Sequence, residues 1–512
     1  MLDVTGYRGS TGSRHDGRPH AIVIGSGFGG LASAIRLGAR GYRVTVLEKL
    51  DAPGGRARVH RQDGFTFDAG PTIVTAPFLF EELWAMCGRK LSGDIDLRPV
   101  SPFYRIRFHD GDTFDYSGDT QAMEREVARI APGDLEGYRS FMAVSEATYR
   151  AGFERLGHVP FGSIMDMVRI LPDLARLQCF RSVHGEVARH VRSEKLRQVL
   201  SFHPLLIGGN PFTATSIYCL IAFLEREYGV HFAMGGTGTL VEGMVRLIEG
   251  QGGAVHCNMP VRRITVDRGT AIGVELGAGS FLPSDIVVSN ADSATTYRDL
   301  IEARFRKRWT DRKIERARYS MSLFVWYFGT RRQYPDVQHH TIMLGPRYRG
   351  LLDDIFGRKI LADDFSLYLH RPTATDPSLA PPGCDTFYVL SPVPHLGAGI
   401  DWNMAAEPYR QRIARHLGET LLPGFESEIV TSRLLTPPDF RDALSSFRGA
   451  AFGLEPVLWQ SAWFRPHNKS EDIENLFIVG AGTHPGAGLP GVLSSARILD
   501  TVVPDAMAFA ER

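Results

Sequence analysis

AIVIGSGFGGLASAIRLGARGYRVTVLE, the run Ala21–Glu48, contains the elements that predict the fold. Its first residues, Ala21–Ile24, form a short apolar run that is typical of a buried strand. A G-x-G-x-x-G pattern and a helical spacing of apolar residues follow, and Tyr42–Leu47 is a second predicted strand that ends at Glu48. Strand, glycines, helix, strand and acid in this order predict a dinucleotide-binding site.

Each glycine of the pattern meets a separate physical need. Gly25 permits a tight turn, Gly27 lets the backbone approach a pyrophosphate, and Gly30 lets the helix pack closely on the strand. The helix N-terminus offers free N–H groups and a partial positive charge to phosphates. Glu48 follows the second strand, where its carboxylate is predicted to accept hydrogen bonds from a ribose.

Two further glycine-containing segments indicate which dinucleotide is bound. DAPGGRAR, Asp51–Arg58, brings two glycines close to the phosphates and places Arg56 where it neutralises them. GFTFDAGPTIVT, Gly64–Thr75, is suited to lie along a flat ring. A simple nicotinamide dehydrogenase needs neither segment, so the pair favours FAD. The alternative is that Asp51–Arg58 is only a basic surface loop.

The C-terminal part of the chain carries another glycine-rich turn. In NLFIVGAGTHPGAGLPGVLSSAR, Asn475–Arg497, a predicted strand at Leu476–Val479 precedes five glycines and a helix that begins near Pro490. Such glycine density is unfavourable in regular secondary structure and is better explained by close approach to a ligand. The N–H groups at the start of this helix are predicted to face the flavin ring and to stabilise negative charge on reduced flavin.

The motifs together resemble those of the bacterial phytoene desaturases of carotenoid biosynthesis. The similar segments are GSGFGGLASAIRLGARGYRVTVLEKLDAPGGRA, GFTFDAGPTIVT, FHPLLIGGNPF, SAWFRPHN and VGAGTHPGAGLPGV, and the resemblance runs from about Ala21 to Pro504. These enzymes belong to the wider group of amine oxidases and protoporphyrinogen oxidases. The resemblance implies an α/β fold, in which a Rossmann-like FAD-binding domain of the amine oxidase and GDI type carries an inserted α+β substrate domain.

The motifs and the resemblance lead to one set of expected cofactor contacts. In relatives the residue that matches Val261 contacts the adenine end through its backbone. The predicted FAD-binding residues are Gly25, Gly27, Gly29, Gly30, Glu48, Lys49, Gly55, Arg56, Pro71, Thr72, Val261, Gly482, Thr483, Gly491 and Val492.

The chain of 512 residues is long enough for two domains with substantial cores. Residues 1–17, rich in Gly, Arg and Ser, are expected to be a flexible tail. We expect a discontinuous FAD-binding domain from 18–80, 233–295 and 470–512, and a substrate domain from 81–232 and 296–469. Within the substrate domain, residues 120–230 are predicted to be mostly helical, and Met321–Thr330 and Phe387–Pro392 are predicted strands.

Composition excludes several partners. A net charge of +1 gives no indication of nucleic-acid binding or of a strong polybasic anchor. Five widely spaced cysteines without a C-x-x-C favour reduced thiols in the cytoplasm over a disulfide framework or a metal site. No secretory signal and no transmembrane helix is predicted.

Two apolar stretches of the helical insertion bear on membrane contact. Phe153–Phe180 and Leu220–Phe232 mix aromatic and aliphatic residues with occasional charges, as amphipathic interfacial helices do. Their periodicity alone favours core or tunnel lining. The lipid-soluble substrate that the resemblance implies favours peripheral contact with the inner membrane, on its cytoplasmic side.

The resemblance implies that phytoene and partly desaturated carotenes lose a hydride to flavin N5 and a proton from the neighbouring carbon. Asp166 and Arg169, spaced i,i+3 among apolar residues, are candidates for an acid/base pair, and the alternative is an ion pair at a helix surface. Glu225, Glu227 and His231 are similarly ambiguous. No metal site is predicted.

Reduced flavin has to be reoxidised, and the chain lacks a second dinucleotide fingerprint for a nicotinamide. The resemblance implies a quinone or oxygen as the electron acceptor, and neurosporene or lycopene as the product. Alternative functions are the desaturation of a later hydroxylated or methoxylated carotenoid, an amine or porphyrinogen oxidase, and a non-catalytic GDI-like lipid-binding protein. The complete glycine fingerprint and Glu48 argue against the last of these.

Overall fold

The computed structural model describes residues 17–510, so the predicted tail lies outside the described residues except for Gly17. The strands are β1 (His20–Ile24), β2 (Arg43–Leu47), β3 (Val59–Gln62), β4 (Phe65–Asp68), β5 (Leu97–Pro99), β6 (Tyr104–Arg107), β7 (Thr113–Tyr116), β8 (His231–Ala233), β9 (Ala254–His256), β10 (Val261–Asp267), β11 (Thr270–Leu276), β12 (Phe281–Pro283), β13 (Ile286–Ser289), β14 (Ser322–Thr330), β15 (His340–Met343), β16 (Leu367–His370), β17 (Asp385–Val393), β18 (Ile429–Leu435) and β19 (Leu476–Ile478).

The helices alternate with these strands and dominate the region between β7 and β8, as predicted for 120–230. They are α1 (Phe28–Ala39), α2 (Phe78–Met86), α3 (Thr120–Ile130), α4 (Leu135–Tyr149), α5 (Ile164–Arg176), α6 (Val183–His190), α7 (Glu194–Ser201), α8 (Leu220–Tyr228), α9 (Thr237–Gly250), α10 (Ser293–Thr295), α11 (Asp311–Arg316), α12 (Tyr348–Asp353), α13 (Trp402–Thr420), α14 (Pro437–Asp442), α15 (Leu489–Arg497), α16 (Leu499–Val502) and α17 (Met507–Ala510). Within 17–510, none of them combines the length and the apolar character that crossing a membrane requires.

A parallel sheet of order β19-β13-β1-β2-β9 forms the first layer. Its strands come from all three segments that the sequence assigns to the FAD-binding domain. β1 is buried along its whole length because α1, α9 and α15 pack on one face of this sheet and β10 and β11 pack on the other, which explains the uninterrupted apolar run of the strand. The carboxyl ends of β1 and β2 meet at one edge, where Gly25 donates its N–H to the carbonyl of Leu47 at 2.8 Å. This edge is where open α/β sheets bind ligands.

A mixed sheet of order β18-β14-β17-β16-β15-β6-β7 forms the second unit, from strands in both predicted insertions. β14, which lies next to the edge strand β18, begins one residue later than predicted, and β17 extends the prediction at both ends. All nine residues of β14 are buried. Alternate side chains pack toward α13 (Phe324 and Trp326) or line a cavity (Leu323 and Val325). One face of this sheet therefore forms a wall of that cavity.

Candidate functional site

A single cavity of about 650 Å³ extends from the N-terminus of α1 to the apolar face of the second sheet. Its first part is lined by backbone and polar groups of the parallel-sheet edge. Its second part is lined mainly by aliphatic and aromatic side chains from the helical insertion and from β14 and β17. The geometry thus joins a polar cradle to an apolar chamber without a wall between them.

The glycine pattern forms the start of the cradle. Gly25 has a φ of +89°, a conformation that favours glycine, and Gly25, Gly27 and Gly29 all line the cavity. Gly30 lies behind them, and a Cβ at this position would stand 2.0 Å from the carbonyl oxygen of Gly25. α1 begins after Gly27 with no capping side chain and no acidic residue in its first turn, so its N-terminus suits an anion.

Glu48 is buried at the rim of the cradle. Its carboxylate accepts hydrogen bonds from the backbone N–H of Ser26 at 2.9 Å, the Ser26 hydroxyl at 2.7 Å and the N–H of Leu50 at 2.9 Å. These donors hold the carboxylate against the α1 turn. Lys49 also lines the cavity, although its ammonium donates to the carbonyl of Asp442 at 2.8 Å.

Gly55 and Arg56 line the cavity next to the first turn of α1. Burial lowers the pKa of the Arg56 guanidinium, and the nearby Asp292 opposes that shift. One Nη of Arg56 donates to the Ser446 hydroxyl at 3.1 Å, whereas its buried Nε has no hydrogen-bond partner within the described part of the chain. An unpaired guanidinium N–H beside a helix N-terminus is suited to a phosphate oxygen, so this cradle fits a dinucleotide.

The C-terminal turn reaches the same cavity. Gly488, with a φ of +95°, precedes α15, and Gly491 and Val492 in its first turn line the cavity. Two other residues predicted from this motif do not line the cavity. Gly482 packs against Ser293, and Thr483 is fully buried.

Pro71, Thr72 and Val261 also line the cavity, so the structure brings them together with the cradle. The Thr72 hydroxyl lies 2.7 Å from the hydroxyl of Tyr388 and 3.1 Å from that of Tyr368. Tyr388 is buried and Tyr368 is partly buried, and burial raises the pKa of each phenol. Thr72 is thus the start of a polar strip in the wall of the chamber.

The polar strip continues into three buried histidines that the sequence analysis did not single out. The register of β15 and β16 pairs His340 with His370, and ring nitrogens of these two and His339 lie within 4.8 Å of one another. Tyr368 lies 2.6 Å from Nδ1 of His340. Burial lowers the pKa of all three imidazoles, to about 3 for His339. The adjacent histidines His339 and His340 are visible in the sequence. Their proximity to His370 could not be predicted, because it depends on the register of β15 and β16.

Asp166 and Arg169 lie in the first turns of α5, outside the cavity lining. The Asp166 carboxylate accepts the N–H of Ser163 at 2.9 Å and thereby completes a capping box. Arg169 lies 3.4 Å from it with 77% of its side chain exposed. The pair is an ion pair at the helix start, and its position gives no support to the predicted acid/base role.

Comparisons with known proteins agree with this geometry. Residues 28–498 match the family of flavin containing amine oxidoreductases. The chain is 51% identical over 491 residues to a neurosporene-forming phytoene desaturase of Cereibacter sphaeroides, covering 95% of each chain. It is 51% identical over 477 residues to a lycopene-forming phytoene desaturase of Pseudescherichia vulneris, covering 93% of this chain and 97% of that one.

The fold has solved counterparts at low sequence identity. Putrescine oxidase bound to putrescine is 13% identical, with a TM-score of 0.62 and coverage of 96% of this chain and 99% of that one. The flavin-containing family and the dinucleotide cradle agree on FAD as the cofactor. The chain belongs to the flavin-containing amine oxidoreductases and, within them, to the bacterial phytoene desaturases.

Proposed function

We propose that this protein desaturates phytoene in successive FAD-dependent steps, giving neurosporene, lycopene or both. The observation that carries the proposal is the single cavity that joins the dinucleotide cradle to an apolar chamber. A linear hydrocarbon has no polar group to recognise, so its binding depends on burying apolar surface. The chamber supplies that surface next to the cofactor.

The residues of the chamber orient the substrate and exclude water. Leu323 and Val325 from β14 and Leu390 from β17 line one wall. Bound FAD supplies a two-electron acceptor for a hydride. The positive charge left on the hydrocarbon is delocalised along its double bonds. The apolar walls of the chamber exclude water, which would otherwise add to this cation.

The proposal is tested by expressing the protein in a bacterium that accumulates phytoene. We expect coloured carotenes, and the positions of their absorption bands distinguish neurosporene from lycopene. Unchanged phytoene, with flavin still bound to the purified protein, would contradict the proposal and would favour a later carotenoid or an amine or porphyrinogen substrate. Repeating the reaction without oxygen, with and without an added quinone, identifies the electron acceptor.

Peripheral contact with the inner membrane is the second part of the proposal, and α5 supports it. Met167, Ile170 and Leu174 on one side of α5 line the cavity. The other side exposes a second apolar row, in which each residue is roughly half exposed: Ile164, Met165, Val168 and Leu171. A helix that is apolar toward both a cavity and the surface fits an entrance for substrate dissolved in lipid.

A neighbouring turn extends this exposed surface. Leu458 and Ala462 line the cavity, whereas Trp459 between them is 60% exposed. The turn around Ala462 packs beside α5. Together they form an exposed apolar surface beside the wall of the chamber, which supports the proposal that this part of the protein contacts the cytoplasmic side of the membrane.

Replacing both Val168 and Leu171 with glutamate is expected to weaken membrane binding. Burial of a Val or Leu side chain contributes roughly 1.5–3 kcal/mol, so the double change should lower vesicle binding at least about tenfold. Co-sedimentation with phosphatidylethanolamine and phosphatidylglycerol vesicles measures this. Met404→Glu, at a residue of α13 that is 74% exposed, is the matched control. Equal binding by all three proteins would show that α5 is not the contact.

A further inference from the structure

Glu225 lines the apolar chamber and has no role in the hydride transfer described above. It lies on α8, is 1% exposed and lines the same cavity as the cofactor cradle. Leu224 and Phe202 line the cavity beside it. Glutamate is rarely buried without a partner, so its presence in an apolar wall requires a reason.

The hydrogen bonds of Glu225 are incomplete. Its Oε1 accepts a hydrogen bond from the Tyr104 hydroxyl at 2.7 Å. Its Oε2 lies 3.2 Å from Nε2 of His203, but neither of these atoms has a hydrogen bond of acceptable geometry within residues 17–510. A buried carboxylate oxygen without a donor is unfavourable for folding. Glu225 lines the cavity, so its carboxylate lies beside the space that a ligand would fill.

Groups behind Glu225 hold it in place. His203 stacks on Phe202, with ring centroids 4.3 Å apart, and is 1% exposed. The Tyr104 ring lies 5.9 Å from that of His340. Tyr104 thus connects Glu225 to the polar strip, in which His340 contacts Tyr368 and Tyr368 contacts Thr72. The Tyr104 hydroxyl therefore orients the carboxylate through a hydrogen bond, and the His203 ring packs beside its other oxygen.

We propose that Glu225 is the base that takes the proton in each desaturation, an inference that rests on the proposed function. One C–H bond of the substrate breaks with both electrons, and the hydride passes to oxidised flavin. A C–H bond on the neighbouring carbon then breaks, and its electron pair forms the new double bond between the two carbons. Its proton goes to the carboxylate of Glu225. The proton of such a delocalised cation is strongly acidic, so a carboxylate is a competent acceptor.

The experiment compares Glu225→Gln with Glu227→Gln, an identical change at an exposed residue of the same helix. With phytoene in vesicles, we expect Glu225→Gln to lower kcat at least about 100-fold. KM, flavin content and melting temperature should stay near wild type. Glu227→Gln should match wild type throughout. Wild-type kcat in Glu225→Gln would overturn the inference.

Further measurements separate a base from a structural residue. Glu225→Ala should recover activity when formate is added, since a small acid fills the space of the lost carboxyl, and Glu225→Asp should retain part of kcat. An infrared difference spectrum of one anaerobic turnover should show a protonated carboxyl band that Glu225→Gln lacks. If Glu225→Gln does not fold, absence of this band in wild type overturns the inference. Phytoene left unchanged by wild type would overturn the proposed function and the inference with it.

Discussion

Replacing Gly30 with alanine is expected to remove most of the flavin from the purified protein. The new Cβ would stand 2.0 Å from the carbonyl oxygen of Gly25, which is backbone and cannot move without distorting the turn after β1. Overpacking of this kind costs roughly 1–3 kcal/mol, and each 1.4 kcal/mol is a factor of ten in affinity. Flavin absorbance per protein after gel filtration should fall to about a tenth or less.

Gly250→Ala provides the matched control for this experiment. Gly250 ends α9, and a Cβ there would meet nothing within 4 Å. This variant should retain full flavin and gain slightly in helix stability. If Gly30→Ala bound as much flavin as Gly250→Ala, the turn would not be the tight structural element that the cradle requires.

The predictable part of this site is the part that is continuous in the chain. Gly25, Gly27 and Glu48 lie within a single strand–helix–strand unit, so their spacing alone determines that they meet at one sheet edge. The C-terminal turn could be predicted for the same reason, because its glycines directly precede α15. Gly482 and Thr483 belong to the same motif but pack inward, which spacing could not reveal.

The rest depends on contacts between distant segments. Glu225, His203 and Tyr104 come from three separated elements, and no periodicity connects them. The neighbouring residue Glu227 has the same chemistry but is exposed, so the sequence could not decide between them. Asp166 was ambiguous for a similar reason, because a capping carboxylate and a catalytic one look alike in a sequence.

Buried histidines are expected to make the protein unstable in acid. Burial lowers the pKa of His60 and His484 to about 4 and that of His339 to about 3. These imidazoles stay neutral in the folded protein, whereas the unfolded chain binds protons below its ordinary pKa of about 6.5. The unfolded state therefore holds more protons between about pH 6.5 and 4, so the free energy of unfolding falls as the pH falls through this window.

The free energy of unfolding that is lost through these histidines is a large part of the stability of a typical protein. Between about pH 6.5 and pH 5 the change is about 1.5 pH units, which corresponds to roughly 2 kcal/mol for each histidine, and native proteins have only about 5–15 kcal/mol of stability. Asp68 acts in the opposite direction, because burial raises its pKa to about 6 and so disfavours its charged form in the fold, and burial also raises the pKa of Asp292 and Glu455. The histidines outweigh these three carboxyls, because burial also lowers the pKa of His20 and His395 to about 4. Melting temperatures of the flavin-bound protein at pH 8 and pH 5 should differ by many degrees.

His60→Phe tests whether histidine protonation is the cause. The Nε2 of His60 has no hydrogen-bond partner in the described chain, and its ring contacts that of Tyr327 at 5.8 Å, a contact that phenylalanine can keep. Because phenylalanine takes up no proton, the variant should lose less stability than wild type between pH 8 and pH 5, while the two proteins melt at similar temperatures at pH 8. An equal loss in both would assign the acid sensitivity to other groups. Only the wild-type unfolded chain binds a proton at position 60. The difference between the pH dependences of the two melting temperatures therefore measures the contribution of His60 to the acid sensitivity.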